Sequence, residues 1–309
     1  VPQLPIFGRF MPASQKLLFI INKHSGRGYQ PRVEGKILDA CALNHAECAL
    51  EFTQGPGHAR ELARHRANDF DAVIAVGGDG TVNEVVQALV HTDTPLGIIP
   101  KGSGNGLARH LGIPMNYAEA INSLFKSKPL PADTFEVNGK PGVNVAGIGF
   151  DGHVANLFGK ATTRGLFGYA HLVVRELARY RGIEAEVVAD EQRYHTHDFI
   201  LAIANSSQYG NNTSIAPGAS ITDSSLNLVH VGRIPLIQTP VFLHKLFTGK
   251  LTNGRFYRNR PCKHVQITLT HQAPFHIDGE PCGYADTFSI RIVPASLLLL
   301  VPASHITRV

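Results

Sequence analysis

The chain has few of the features that mark secreted, metal-binding or membrane-spanning proteins. Among its 309 residues are four cysteines, Cys41, Cys48, Cys262 and Cys282. None forms a C-x-x-C pair or a zinc-type spacing, which argues against a disulfide framework or a zinc knuckle. Reduced structural thiols fit the cytoplasm. No apolar run is long enough for a membrane-spanning helix. The opening stretch VPQLPIFGRFMPASQ lacks the basic-then-apolar order of a secretory leader. A net charge of +5 is too mild to imply nucleic acid, and no RNA-recognition motif is present. The 16 histidines show no H-E-x-x-H or other ligand spacing. There is no internal repeat and no low-complexity tract. What remains is a globular composition, 43% hydrophobic and 17% charged, with room for one large domain or two ordinary ones.

The most informative stretch is Asp71 to Val90, DAVIAVGGDGTVNEVVQALV. Val73 to Val76 predict a buried strand, and Val82, Val85, Val86 and Leu89 an apolar helix face. Gly77, Gly78 and Gly80 surround Asp79 at the turn between them. Thr81 and Glu84 have capping-box spacing, which makes Thr81 the expected N-cap and Glu84 its N3 partner. A Gly-rich turn feeding a helix N-terminus offers free N–H groups and a positive dipole end, a place for phosphate. A carboxylate there repels phosphate unless a metal or a transferable proton intervenes. The alternative is a plain tight turn.

A second strand–loop–helix follows. Leu96 to Ile99 is the strand, and Pro100-Lys101-Gly102-Ser103-Gly104-Asn105-Gly106 is the loop. This is neither G-x-x-x-x-G-K-[ST] nor G-x-G-x-x-G. Strands at Lys16–Ile21 and Cys48–Thr53, with helical patterns at 33–43 and 58–66, complete a parallel α/β pattern. The two Gly-rich loops then share the carboxyl edge of one sheet, where ligands bind in open α/β folds. After Lys128-Pro129-Leu130-Pro131 the pattern changes to strands and turns. Asn138-Gly139 signals a hairpin between 135–137 and 143–145. Further strands are expected at 183–188, 199–204, 226–231, 265–269 and 288–293, with helices at 169–180 and 240–247. The expected fold is a Rossmann-like α/β domain over 1–130 and a mainly antiparallel β-sandwich over 131–295.

No acidic residue lies between Asp223 and Asp278. That stretch carries Arg233, Lys245, Lys250, Arg255, Arg258, Arg260 and Lys263 among Leu236, Ile237, Val241, Phe242, Leu246, Phe247 and Phe256. Such a mixture suits an anionic bilayer surface. Phe158 to Arg181 is a second candidate for the same role. The alternative is a basic face over an ordinary amphipathic helix.

With both loops and the β region in view, the chain resembles the diacylglycerol-kinase-type lipid kinases, including the sphingosine and ceramide kinases. INKHSG, GGDGTVNEV, PKGSGNGLARHLGIP, NVAGIGFDGHVA, ANSSQYGNNTSIAPGASITDSSLNLV and HIDGEP carry the resemblance in order. It implies ATP in an inter-domain cleft, with 296–309 returning to the first domain. The implied ATP contacts are Asn22, Ser25, Gly26, Thr53, Gly77, Gly78, Asp79, Gly80, Thr81, Asn83 and Ser103. The implied catalytic base is Asp278 or Glu280, with Asp79 in the catalytic set. Asp151 is implied to face a lipid head group, although a hairpin or bulge aspartate reads equally well. The implied Mg²⁺ site is Asp223 with Ser220 and Ser225, where Asp223-Ser224 departs from the family's Asp-Gly. The expected activity is phosphoryl transfer to a lipid hydroxyl by a cytoplasmic, peripherally membrane-associated enzyme. The lipid is diacylglycerol or, from Ser103-Gly104-Asn105, a sphingoid base or ceramide. NAD kinase and a catalytically silent lipid- or nucleotide-binding protein are the alternatives. No nucleic-acid partner is expected, and a homodimer is left open.

Overall fold

The computed structural model describes residues 15–26, 31–160, 176 and 179–306. The amino half is a parallel α/β layer. Strands β1 (Lys16–Ile21), β2 (Glu47–Phe52), β3 (Ala72–Gly77) and β4 (Leu96–Pro100) run in the order β2-β1-β3-β4, all parallel. Every residue of β3 and β4 is buried, as a strand covered on both faces requires. The flanking helices are α1 (Pro31–Leu43), α2 (His58–Arg66), α3 (Asp79–Leu89), α4 (Gly106–His110) and α5 (Tyr117–Leu124).

The chain then crosses on β5 (Ser127–Val137) and turns at Asn138-Gly139 into β6 (Lys140–Gly142). Both turn residues have positive φ, 51° and 77°, as the tightest hairpins demand. The hairpin is where the sequence places it, but its return strand is 140–142. Residues 143–145 instead lead into β7 (Val145–Gly149), which pairs elsewhere. Helix α6 (Phe150–Lys160) follows. Next come β8 (Ile183–Ala189), β9 (Gln192–Asp198), β10 (Ile200–Ala204), β11 (Gln208–Gly210) and β12 (Thr213–Ser214). The carboxy end holds β13 (Leu226–Val231), α7 (Thr239–Phe247), β14 (Tyr257–Cys262), β15 (His264–Ile277) and β16 (Glu280–Pro302). The expected helix at 169–180 lies outside the described residues except at 176, 179 and 180.

Two long strands position the site. β15 pairs with β8 over 265–269 and with β7 over 275–277, its register shifting between Thr268 and Ala273. It thereby serves both layers of an antiparallel sandwich, whose interior is filled by Phe135, Ile148, Leu201, Leu228, Ile267 and Phe275. β16 leaves the sandwich after Val293 and runs back beside β4 at Leu299. Leu297, Leu299, Leu300 and Val301 lie buried in the core of the α/β layer with Phe19, Ile74 and Leu96. One continuous sheet path therefore joins the two halves.

Candidate active site

Three loops leave the carboxyl ends of β1, β3 and β4 and bind to one another. Asn22 Nδ2 donates to Thr81 Oγ1 at 3.1 Å. Lys101 N donates to Gly77 O at 2.7 Å, and Lys101 Nζ to Asn22 O at 3.3 Å. Gly26 has φ +61° and faces the Lys101 carbonyl so closely that no side chain fits there. Asp79 joins the two Gly-rich loops. Its Oδ2 accepts from Asn105 N and its Oδ1 from Gly106 N, both at 2.8 Å. Burial pushes the Asp79 carboxyl above the ordinary carboxylate range, and these two N–H donors oppose the rise.

The expected capping box is absent. Helix α3 starts at Asp79 with Gly78 as N-cap, and no side chain caps it. Thr81 instead accepts from Asn22. Glu84 reaches across to α2, accepting from Gly57 N at 2.7 Å and Ala59 N at 3.0 Å. It caps a neighbouring helix because α2 and α3 pack side by side and Gly57 supplies no side chain of its own. The first turn of α3 is consequently left without a capping oxygen, with its N–H groups directed at the loop cleft.

From the other half, the β15–β16 turn reaches this helix end. Asp278 has φ +53° and is buried, with both oxygens engaged. Oδ2 accepts from Asn83 Nδ2 at 2.8 Å and Val143 N at 3.0 Å; Oδ1 accepts from Asn144 N at 2.8 Å and Val145 N at 3.1 Å. Asn83 is equally committed, because its Oδ1 accepts from Gln87 Nε2 at 2.6 Å. Glu280 differs. Its carboxylate turns in against Gly80 at the start of α3, with no hydrogen-bond partner among the described residues. Burial raises its pKa, and the charges of Glu84, Asp79 and Asp278 raise it further.

The remaining predicted residues fall as follows. Thr53 is buried at the end of β2, its N–H on Ile21 O at 3.0 Å. Ser25 turns its hydroxyl back onto Asn22 O at 2.9 Å, whereas Ser103 is exposed at the tip of its loop. Asn105 closes its own loop, Oδ1 accepting from Gly102 N and Nδ2 donating to Gly102 O. Asp151 lies in the first turn of α6, neither in a hairpin nor at a bulge. Its Oδ2 accepts from the Tyr209 hydroxyl at 2.7 Å and lies 3.5 Å from His276 Nε2. Gly279 N donates to His276 Nδ1 at 3.2 Å, which assigns the ring proton to Nε2, facing Asp151. His276 thus supports Asp151 from below and presents no nitrogen to the loop cleft. Tyr209 is the Asp151 partner that the sequence reading did not single out; it sits inside a quoted motif, but nothing local marks its hydroxyl.

The implied metal loop at 220–225 is tied together by its own hydrogen bonds. Asp223 Oδ1 accepts from Ser225 N at 3.0 Å, and Ser220 Oγ accepts from Thr222 N at 3.3 Å. Asp133, missed by the sequence reading, is the buried anchor. Its Oδ2 accepts from Ser224 N at 2.7 Å and its Oδ1 from Ala295 N at 2.8 Å. Ser224 takes φ +56°, the conformation for which the expected glycine is suited. Burial, then the Asp133 charge, pushes the Asp223 carboxyl up. Among the described residues no group of three or more His, Cys, Asp or Glu could hold a metal ion.

Comparison with known proteins agrees with this layout. Residues 16–137 match the family described as diacylglycerol kinase catalytic domain, and 144–301 match the YegS C-terminal NAD kinase beta sandwich-like domain. The chain belongs to the YegS and diacylglycerol-kinase-like family of lipid kinases. It is 30% identical over 261 residues to a "Probable lipid kinase YegS-like" of Chromohalobacter salexigens, covering 82% of this chain and 84% of that one. It is 26% identical over 273 residues to "Diacylglycerol kinase" of Bacillus subtilis, covering 85% and 89%. The crystal structure of a diacylglycerol kinase from Bacillus anthracis shares the fold, with a TM-score of 0.74, 22% identity and coverage of 94% and 98%.

Proposed function

We propose that this chain transfers the γ-phosphoryl group of ATP to a lipid hydroxyl, with Glu280 as general base. The observation that carries this reading is the contrast among three cleft carboxylates. Asp79 and Asp278 are held by N–H donors inside the protein, whereas Glu280 has no hydrogen-bond partner among the described residues and is set against the uncapped start of α3. A raised carboxylate pKa suits a group that must take a proton near neutral pH. Phosphoryl transfer otherwise asks for positioning and charge neutralisation. The loop N–H groups and Lys101 support the first, and Mg²⁺ brought with the triphosphate would supply the second, with Asp79 and Glu280 as the nearby carboxylates. Asp151, with Tyr209 behind it, is the acceptor for a head-group hydroxyl. Diacylglycerol is the first substrate to test, as it stands in the names of relatives. Asn105 closes its own loop, and sphingosine and ceramide stand beside diacylglycerol as candidate acceptors.

The bilayer would be met by the segment around α7. Leu236, Ile237, Val241 and Phe247 are 80%, 87%, 59% and 53% exposed, while Phe242 and Leu246 pack inward on the sandwich. Exposed apolar side chains among lysines and arginines, with no acid from 224 to 277, match an anionic interface. No helix of the described residues is long and apolar enough to cross a membrane.

The test is a Mg²⁺-ATP reaction on diacylglycerol, monoacylglycerol, sphingosine, ceramide and NAD, with products read by mass spectrometry. A phosphorylated lipid is expected. Phosphorylated NAD with no lipid product would overturn the proposal.

A further inference from the structure

We propose that the open edge of the β-sandwich is a binding site for a phosphate-ester anion, separate from the loop cleft. An open cavity of about 510 Å³ lies there between β9 and the edge strand β14. It falls in the range of small-ligand sites and exceeds what a bare inorganic phosphate needs.

Its chemistry comes from a break in the strand pattern. On the inner face of the β13–β14 pair, Leu226 stands opposite Cys262, Leu228 opposite Arg260, and His230 opposite Arg258. The face begins apolar, as a sandwich interior should, and ends cationic. Among the described residues neither Arg258 nor Arg260 forms an ion pair; Arg193, at the same cavity, is taken by Glu186 at 3.3 Å. Arg260 lies over the Tyr194 ring, 5.4 Å from its centroid, which fixes the guanidinium at the cavity wall.

Behind Tyr194 lies a buried relay. Asp198 Oδ2 accepts from Thr196 Oγ1 at 2.8 Å and meets His230 Nδ1 at 2.7 Å; both members of the Asp198–His230 pair are 3% exposed. His230 Nε2 meets the Tyr194 hydroxyl at 3.0 Å. The Asp198 carboxylate is thus screened from the cavity by the imidazole, while Tyr194 and the guanidiniums of Arg258 and Arg260, neither in an ion pair among the described residues, line it. Guanidinium forks are the donors that phosphate oxygens take. A solvated basic patch would need no such buried support.

The test uses the full chain labelled with fluorotyrosine, whose eight tyrosines allow the Tyr194 resonance to be assigned through Tyr194→Phe. The probes are inorganic phosphate, glycerol 3-phosphate, and phosphatidylcholine vesicles with and without phosphatidic acid, each against sodium chloride of equal ionic strength. A saturable shift of the Tyr194 signal with a phosphate probe and not with chloride is expected. Arg258→Gln and Arg260→Gln should each weaken it about tenfold. A response to glycerol 3-phosphate identifies a soluble ester; a response only to phosphatidic-acid vesicles identifies a lipid head group. No shift, a shift matched by chloride, or one indifferent to both arginine variants overturns the site. The last outcome also separates it from phosphate held by the Gly-rich loops.

Discussion

Asn83 and Asp278 stand 195 positions apart and share a 2.8 Å hydrogen bond that fastens helix α3 to the β15–β16 turn. Removing the donor leaves a buried carboxylate short of one partner. Asn83→Ala should cost about 1–3 kcal/mol by urea denaturation. Asp278→Asn should cost at least as much, because an amide NH₂ would face backbone N–H groups. A coupling energy above about 0.5 kcal/mol in the double-mutant cycle is expected; strict additivity would remove the joint from the account.

Glu280→Gln separates chemistry from folding. It should lower kcat about 10²- to 10⁴-fold while the urea midpoint stays put. The wild-type rate should fall as pH drops through a carboxyl pKa raised above its ordinary 4.5, because protonation disables a general base. An acid limb that Glu280→Gln leaves in place would assign the titration to another group.

Glu84 tests the cap that one helix provides for another. Glu84→Ala strips two N–H groups at the start of α2 of their acceptor and should cost about 0.5–2 kcal/mol. Amide exchange at Gly57 and Ala59 should quicken before exchange in α3 does.

Ser224 holds φ +56°, a conformation costly for any residue with a Cβ. Ser224→Gly should stabilise the fold by about 0.5–1 kcal/mol in thermal or urea unfolding. A loss would mean that the serine contributes something its backbone does not show.

His110 makes stability depend on pH. Burial, then the charge of His305, pushes its pKa from 6.5 down to about 4. Its Nδ1 accepts from Ser207, and its Nε2 is buried with no partner among the described residues. Between these pH values the unfolded chain binds a proton that the folded chain refuses. Stability therefore falls as pH drops from 6.5 towards 4, by about 1.4 kcal/mol per pH unit. His110→Gln should flatten that slope.

Some of the misreadings had a local signal and some had none. Helix α5 went unread although Asn116 accepts from Ala118 N and Glu119 N, an ordinary N-cap. Strand β9, QRYHTHD, is polar on the face that lines the cavity and so lacks the apolar alternation of a strand. β15 and β16 were cut short because each changes partner along its length, which no window of neighbours reveals. Glu84 kept the spacing of a capping box, but a carboxylate bonds to whichever helix end packs against it.

The sequence by itself determined the parallel strands, the Gly-rich loops, the hairpin at Asn138-Gly139 and the family, because each is written in runs of adjacent residues. Only the tertiary structure decided which carboxylate is free. Asp79, Asp278 and Glu280 are alike in one dimension. Two are satisfied by N–H groups from distant segments and one, among the described residues, is not, and that difference exists only once the chain has closed on itself.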